Sequence, residues 1–294
     1  MMKLKKKIIK KRIIFLFQET KDKRVISFLK KKGFEVQEFN QKKNKIESLI
    51  EIEIVKHDFY DSSISIKTPD IKILNLNDCP LRDIRDIKKF KKKYGTFDVL
   101  LTQFSYAAWK GGKEGKIFRE NAAKEKLTDI CNQSKILNCK KVIPFASFVY
   151  FSNKMNFYMN DSINIPDKVC EYLIKNAVNP VIMQPGEKQN LMELRQDKNS
   201  LEFWKNKYQF SNTNKTIDHY KENNTFDDLK KDFISYQKKI FSKNSKILIY
   251  LLYKFSFFGA FKKINIFLLD RNENYEYSIF SGLKKTNKTQ YDIS

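Results

Sequence analysis

The residues best suited to chemistry stand where predicted strands begin or end. His57 lies shortly before the strand 63–67, and Asp78 follows the strand 71–77. Imidazole nitrogen and carboxylate oxygen are both good ligands for a divalent metal, so the two residues are candidate metal ligands. Two ligands alone do not make a tight site. Taken singly, a histidine such as His57 is more often a structural or surface residue than a ligand, and Asp78 can equally cap a helix that opens at Pro80.

Polar and aromatic residues follow the next two strands along the chain. In layered α/β folds, ligand sites form at the carboxyl ends of strands. Four residues at these ends are therefore candidates for binding a substrate: Gln103, Tyr106, Trp109 and Ser147. The aromatic and polar loops 104–109 and 148–161 would line such a pocket. The alternative is that these aromatic side chains pack in the core and in the loops.

Apolar patterning predicts the elements that position these residues. Period-two alternation and short apolar runs predict strands over 50–55, 63–67, 71–77, 98–102, 141–145 and 180–184. Helical spacing predicts helices over 80–94, 116–137 and 167–176. Strand followed by helix, repeated three times, indicates a layered arrangement of helices on a sheet.

The pattern changes beyond Glu187. Helices are predicted over 191–208 and 226–242, with the polar stretch 211–225 between them as a linker. The apolar, aromatic run 247–261 is too short to span a bilayer, and we expect a buried helix there. Two short runs, 264–269 and 275–280, flank turn residues and predict a β-hairpin.

Composition narrows the class of protein. Hydrophobic residues make up 41% of the 294 residues, which favours a globular chain over a disordered one. The formal net charge is +24, which suggests nucleic acid as a partner. Only seven of the 58 basic residues are Arg, however, and Arg is the usual reader of phosphates and guanines. We therefore expect a solvated basic surface, with nucleic-acid binding unlikely.

The cysteine spacing and the apolar runs argue against a zinc or redox motif, a signal peptide and a membrane span. None of the four cysteines forms a CxxC pair, so a zinc knuckle or redox motif is unsupported. The apolar run near the N-terminus is short for a signal peptide, and no run is long enough to cross a membrane. We expect a cytoplasmic protein with no membrane association.

A series of motifs gives these residues a context. In chain order they read KHDFYDSSISIKTPDIKILNLNDC, DVLLTQFSYAAWKGG, VIPFASFVYFSNKMNFYMNDS and IMQPGE. Over about residues 24–187 the chain resembles metallo-β-lactamase-fold hydrolases. The branch it resembles is similar to the hydrolase-like domain of CMP-N-acetylneuraminate hydroxylases. The resemblance implies an α+β fold, an αββα sandwich with a one- or two-metal site of zinc or iron between its sheets.

The resemblance assigns roles to the two candidate metal ligands. His57 matches a histidine that follows the family's HxHxDH signature, and Asp78 matches the bridging aspartate, here in Asn77-Asp78. A last histidine would fall near 143–146, where the chain has Ile-Pro-Phe-Ala, as in the hydroxylase-like branch. Asp58, Asp61 and Asp161 are further acids near the implied site.

One departure from the family is large. The chain has only two histidines, His57 and His219, so HxHxDH is impossible. We expect the sandwich to be incomplete at its N-terminus, with residues 1–187 as the C-terminal part of the domain and 188–294 as a helical and hairpin extension. His57 and Asp78 are too few to hold a catalytic metal. The predicted function is a hydrolase-like protein that is inactive alone.

The same departure suggests partners. Half a sandwich leaves a sheet face and an edge uncovered, which a separately encoded N-terminal half or a homo-oligomer would cover. The alternative to an inactive hydrolase fragment is a pseudoenzyme acting as a binding module for a sugar nucleotide or a protein partner. A Ser-His-Asp hydrolase is excluded because GxSxG is absent, and neither a P-loop nor GxGxxG occurs.

Overall fold

The computed structural model describes most of the chain. The described residues are 13–40, 43–47, 49–57, 61–213, 225–255, 259, 261–268, 271–287 and 292. The chain divides into two compact units, Met1–Asp218 and His219–Ser294. The predicted boundary at 187/188 stays a prediction, but the helix that follows it belongs to the first unit.

In the described part of the first unit, eight strands form two sheets. A parallel pair consists of β1 (Ile14–Gln18) and β2 (Glu35–Phe39). The second sheet has the order β3-β4-β5-β6-β7-β8. Its strands are β3 (Lys43–Glu47), β4 (Ile50–Lys56), β5 (Ser62–Lys67), β6 (Lys72–Asn77), β7 (Val99–Thr102) and β8 (Lys141–Pro144). Strands β3 to β6 pair antiparallel, whereas β6, β7 and β8 pair parallel.

Five α-helices connect or flank these strands in the described part of the first unit. They are α1 (Arg24–Lys31), α2 (Ile84–Tyr94), α3 (Lys116–Leu137), α4 (Pro166–Lys175) and α5 (Lys198–Thr213). Short 3-10 turns cover Phe157–Ser162 and Leu191–Glu193. Helices α2 and α3 are the crossovers that parallel pairing of β6, β7 and β8 requires.

The main core lies between one face of the six-stranded sheet and the helices. Leu74, Leu100 and Val142 are in register on neighbouring strands and are fully buried. Helix α2 contributes Ile87 to this cluster and helix α3 contributes Ile130, both with no exposed surface. Alternation along each strand therefore turns one apolar face toward the helices, as the sequence predicts.

The opposite face of the sheet carries a row of half-buried apolar side chains. Ile66 and Ile73 are paired on neighbouring strands, and Leu101 and Ile143 are paired further along the sheet. Phe39, from β2, is buried against the β4 end of this face. The described residues thus form a mixed α/β unit with two sheets, and the αββα sandwich itself stays a prediction.

The second unit is a small helix-and-sheet structure. Strands β9 (Ile264–Leu268), β10 (Glu273–Ser278) and β11 (Gly282–Lys285) form an antiparallel sheet, and helix α6 (Phe226–Lys243) packs on it. The helix begins at a capping box, in which Thr225 and Asp228 bond each other's backbone N–H. Phe226 stacks on Tyr275, with ring centroids 5.5 Å apart.

The elements confirm most of the predicted pattern and correct four parts of it. The hairpin over 264–280 is confirmed, but a third strand, β11, was not predicted. Pro180–Gln184 forms only a single bridge, between Val142 and Pro180, instead of a strand. The predicted helix 191–208 is a 3-10 turn followed by α5. Part of the predicted linker, residues 214–224, lies outside the described residues.

The fourth correction concerns the apolar run after Ser245. It forms helix α7 (Lys246–Phe255), but only Ile249 of this helix is buried. The expectation of a buried helix is therefore wrong. None of the helices in the described part of the chain combines the length and the apolarity that crossing a bilayer requires.

A matched pair of substitutions on one helix tests where the core lies. Ile130 is fully buried, whereas Ile117 on the same helix is 74% exposed. We expect Ile130→Ala to lower the free energy of unfolding by about 2–5 kcal/mol, because it leaves a cavity. Ile117→Ala should change it by less than about 0.5 kcal/mol. Urea unfolding measures both, and equal losses would contradict the assigned core.

Candidate functional site

Strand directions bring the candidate residues to one edge of the six-stranded sheet. Strands β4, β6, β7 and β8 end at this edge, and β5 begins there. His57 and Asp78 therefore lie at the same edge as Gln103 and Ser147, as predicted from the positions of the strands. We call it the carboxyl edge.

His57 is held by local contacts at the end of β4. Its Nε2 lies 2.7 Å from Ser63 Oγ, and its ring stacks on Phe90 with centroids 5.6 Å apart. Its backbone N–H donates to the carbonyl of Asp61. Burial lowers the pKa of His57, and the charge of Asp61 only partly offsets this. A lowered pKa favours the neutral imidazole near pH 7.

Asp78 is exposed at the end of β6. Its Oδ1 accepts a hydrogen bond from Asn77 Nδ2 at 2.8 Å, and Asn77 has φ 51° next to an irregularity in the pairing with β7. The alternative in which Asp78 caps a helix is wrong, because α2 begins at Ile84 and its cap is Asp83. Asp83 accepts from the backbone N–H of Arg85 at 2.8 Å.

The donor set does not fit a metal of the kind the family resemblance implies. Within the described ranges, no group of three or more His, Cys, Asp or Glu side chains is placed to hold an ion. A catalytic zinc takes three protein ligands and a structural zinc four. One ring nitrogen of His57 is also engaged with Ser63. His219 and Asp58 lie outside the described residues.

Gln103 meets a cation that the sequence did not single out. Its Oε1 accepts a hydrogen bond from Lys126 Nζ, on helix α3. Burial lowers the pKa of Lys126 to about 8, and the positive charges of Arg82 and Lys110 act in the same direction. The negative charges of Asp129 and Asp78 oppose the shift. Lys126 is thus a half-buried amine bonded to an amide oxygen at the carboxyl edge.

Arg82 adds a second cation beside the same helix. Its Nε lies 3.6 Å from Asp129 Oδ2, and its side chain is 52% exposed. Burial raises the pKa of Asp129, although the charge of Arg82 acts against this. Arg82 and Lys110 therefore both repel the charge of Lys126, and the carboxylates of Asp129 and Asp78 offset this only in part. This excess of positive charge favours an anionic ligand.

Ser147 lies just after β8 and is 1% exposed. Among the described residues its Oγ has no hydrogen-bond partner. Buried hydroxyls ordinarily have one, because leaving the group unpaired costs about 1–3 kcal/mol. The preceding residue, Ala146, has φ 63°, a left-handed conformation that is rare for Ala. An unpaired hydroxyl next to backbone strain is consistent with a ligand-binding role for Ser147.

The two aromatic candidates lie in different surroundings. Tyr106 is 1% exposed, and its hydroxyl donates to the carbonyl of Met159 at 2.5 Å. Burial raises its pKa to about 12. Trp109 is 69% exposed. The predicted alternative, in which aromatic residues pack in the core, describes Tyr106 well, while a substrate-binding role for both stays a prediction.

The loop that carries Tyr106 and Trp109 is fixed by a buried cation. Arg119 has no exposed side-chain surface and pairs with Asp161 through two bonds of 2.8 and 2.6 Å. Its Nη1 donates to the carbonyl of Gly112, and Nη2, which also bonds Asp161, donates to the carbonyl of Lys113. Asp161 was predicted as an acid near the site, whereas the structure gives it this positioning role.

Sequence reasoning missed Lys126 and Arg119. Both lie in the long helix α3, where basic residues look like parts of a solvated face. A weak signal exists for Arg119, because it is one of only seven arginines in a lysine-rich chain. Lys126 carries no such signal, since its burial depends on how the helix packs on β7.

Comparisons with known proteins give weak likenesses only. No family model matches the chain, and no curated protein matches it. A mutant of CmlA beta-hydroxylase is 13% identical, with TM-score 0.38, over 57% of this chain and 38% of that one. CmlA, a diiron beta-hydroxylase from Streptomyces venezuelae, is 11% identical, with TM-score 0.36, over 56% and 37%. A protein of unknown function from Enterococcus faecalis has TM-score 0.23 and 14% identity, over 66% and 46%.

These likenesses leave the function to be inferred from the site. The chain spans about 38% of the length of the CmlA structure it resembles. At such TM-scores and identities, no property of those proteins transfers to this chain. The function is therefore inferred from the contacts at the carboxyl edge.

Breaking the Arg119–Asp161 pair should destabilise the first unit. In Asp161→Asn the buried guanidinium loses its counter-charge, and we expect a loss of about 3 kcal/mol in the free energy of unfolding. Glu171→Gln removes an exposed pair with Lys168 and should cost less than about 1 kcal/mol. Chemical unfolding at pH 7 measures both losses. Comparable losses would contradict a buried pair that anchors the loop.

The pair also predicts a pH dependence of known sign. Hydrogen bonds from Arg119 lower the pKa of Asp161, so its contribution to stability is complete above the unfolded value of about 3.9. That contribution is lost as the pH falls through the lower folded value. The difference in stability between wild type and Asp161→Asn should therefore shrink below about pH 4. A difference that stays constant down to pH 2 would contradict this.

Proposed function

We propose that the chain is a metallo-β-lactamase-like protein that binds an anionic small molecule of the sugar-nucleotide type at the carboxyl edge. In this role it is a binding module that does not hydrolyse its ligand alone. The observation that carries the proposal is the half-buried Lys126 amine, bonded to Gln103 at the edge where four strands end.

Charge favours a phosphate-bearing ligand. The positive charges of Arg82 and Lys110 both act on Lys126 and raise the energy of its charged form. An anion placed among them relieves this repulsion and replaces the water that burial removes from Lys126. A phosphate accepts several hydrogen bonds, and both guanidinium and ammonium groups supply them.

Neighbouring polar groups extend the same edge. Ser147 offers a buried hydroxyl without a partner in the described part of the chain, and Asn77 and Asp78 present exposed polar side chains. Hydroxyl, amide and carboxylate groups of this kind are suited to the hydroxyls of a sugar. Together with the cations, these polar side chains favour a ligand that has both a phosphate and a polyhydroxylated part.

Metal-dependent hydrolysis is less well supported by this site than ligand binding. Metal-assisted hydrolysis needs an ion held by at least three protein ligands and a water whose pKa the ion lowers. The described residues supply His57 and Asp78 at the edge, and no third ligand joins them there. Any hydrolytic step would therefore need metal ligands beyond those two.

Titration with CMP-N-acetylneuraminate tests the proposal. We expect saturable binding by calorimetry, and Lys126→Ala should weaken it about tenfold or more, because a charge-assisted hydrogen bond is lost. Lys124→Ala is the matched control, since Lys124 is exposed on the same helix and should leave affinity unchanged. Equal affinities in the two variants, or no binding by the wild type, would contradict the proposal.

The same titration has a predictable pH dependence. Lys126 has a pKa of about 8, so its positive charge is lost as the pH rises from 7 to 9. The phosphodiester and carboxylate of the ligand stay ionised over that range. Affinity should therefore fall as the pH rises, and Lys126→Ala should remove most of the fall. A pH-independent wild type would show that Lys126 does not contact the ligand.

A further inference from the structure

Helix α7, in the second unit, presents large apolar side chains to solvent. Ile247 is 73% exposed, Leu248 56%, Leu251 43% and Phe255 58%. Single exposed apolar residues are common on protein surfaces, but a group of them on one short helix is not. The proposed small-molecule site involves none of these residues.

The four side chains form one stripe along the helix. At 100° per residue, positions 247, 248, 251 and 255 fall within an arc of about 100°. The opposite side attaches α7 to the rest of the unit: Ile249 is 3% exposed, and the Tyr253 ring lies 5.0 Å from that of Phe280. The helix therefore has an anchored side and an outward apolar side.

The segment of the chain that carries this stripe is rich in lysine. The sequence from Phe233 to Leu269 contains no Asp or Glu and seven lysines: Lys238, Lys239, Lys243, Lys246, Lys254, Lys262 and Lys263. All seven are exposed, and Lys263 is paired with Glu276. Two of them, Lys246 and Lys254, lie near the ends of α7 itself.

We propose that the outward side of α7 docks on an anionic membrane surface. In this arrangement the helix lies in the interfacial plane, with Ile247, Leu248, Leu251 and Phe255 at the acyl boundary and the lysines at lipid phosphates. An exposed apolar stripe on a helix within a lysine-rich segment of the chain is typical of such interfacial helices. The absence of a spanning segment, which led to the expectation of no membrane association, does not bear on a helix that lies in the interface.

Geometry and charge together select a bilayer over other occupants. Ten helical residues extend about 15 Å, half the thickness of the hydrocarbon core, so α7 can lie on a bilayer but cannot cross it. Nucleic acid would use the lysines but would leave the apolar stripe in water. A second copy of this chain would bring its own lysine-rich segment against this one, which charge repulsion disfavours.

Vesicle co-sedimentation of the full chain tests the proposal. The wild type should sediment with vesicles that contain phosphatidylglycerol and much less with pure phosphatidylcholine, and added salt should release it. Ile247→Ser/Leu251→Ser should lower the partition coefficient about tenfold or more. The matched control is Ile117→Ser/Ile174→Ser, which removes two exposed isoleucines of the first unit and should leave partitioning unchanged.

A charge variant keeps the test informative if the stripe variant misfolds. Lys246→Gln/Lys254→Gln retains the apolar stripe and should weaken binding to anionic vesicles about tenfold, with no effect on the little binding to neutral ones. Circular dichroism reports whether each variant is folded.

Several results would overturn the proposal. A wild type that stays in the supernatant with anionic vesicles is one, and equal losses in the stripe and control variants are another. A stripe variant that changes the oligomeric state in gel filtration but binds vesicles normally would show that a second copy covers α7. Duplex DNA binding that falls in the charge variant, without vesicle binding by the wild type, would assign the surface to nucleic acid.

Discussion

Parallel hydrogen bonding between β6, β7 and β8 determines where every candidate site residue lies. The registers Leu74 to Leu100 and Leu100 to Val142 align three strand ends at one edge. Asp78, Gln103 and Ser147 each follow one of those ends, so they share an edge although they are far apart in sequence. Strand β4 pairs antiparallel with β5 and therefore runs in the direction of β6, so it ends at the same edge and adds His57. Without this pairing, the residues would have no common surface.

Helix α3 then decides the electrostatics of that edge. It packs on the apolar face of the sheet through buried residues such as Ile130, and this packing brings Lys126 to Gln103. The same helix buries Arg119, whose bonds to Asp161 and two loop carbonyls hold the loop after β7. A single helix thus supplies one cation to the proposed ligand site and another that holds the loop after β7.

The sequence predicted the strands and helices whose apolar pattern is set by their own residues. The prediction failed for segments whose pairing or burial depends on tertiary packing. Period-two alternation placed β4 and β5 within a residue of their bounds, and helical spacing placed α3 at its ends. Pro180–Gln184 reads as a strand but pairs only once, because pairing depends on the neighbouring chain and not on its own apolar run. The apolar sequence of helix α7 predicts a buried helix. A small unit, however, has too little core to cover every side of an apolar helix.

The candidate site was predictable in position but not in chemistry. Strand ends located Asp78, Gln103 and Ser147, because the direction of parallel strands follows from their order. The lowered pKa of Lys126 was not predictable, since it depends on burial and on Arg82 and Lys110, which are remote in sequence. The residue types of His57 and Asp78 alone suggested a metal site. The described His, Cys, Asp and Glu side chains around them do not complete a set of three ligands.

Metal content tests the central claim, that the carboxyl edge is a cationic ligand site and not a metal centre. Elemental analysis of the chain after gel filtration, with His57→Ala and Asp78→Ala alongside, gives a direct answer. We expect much less than one equivalent of zinc, iron or manganese, with no difference among the three proteins. One equivalent of metal in the wild type that is lost in both variants would contradict the claim and restore a metal-dependent hydrolase.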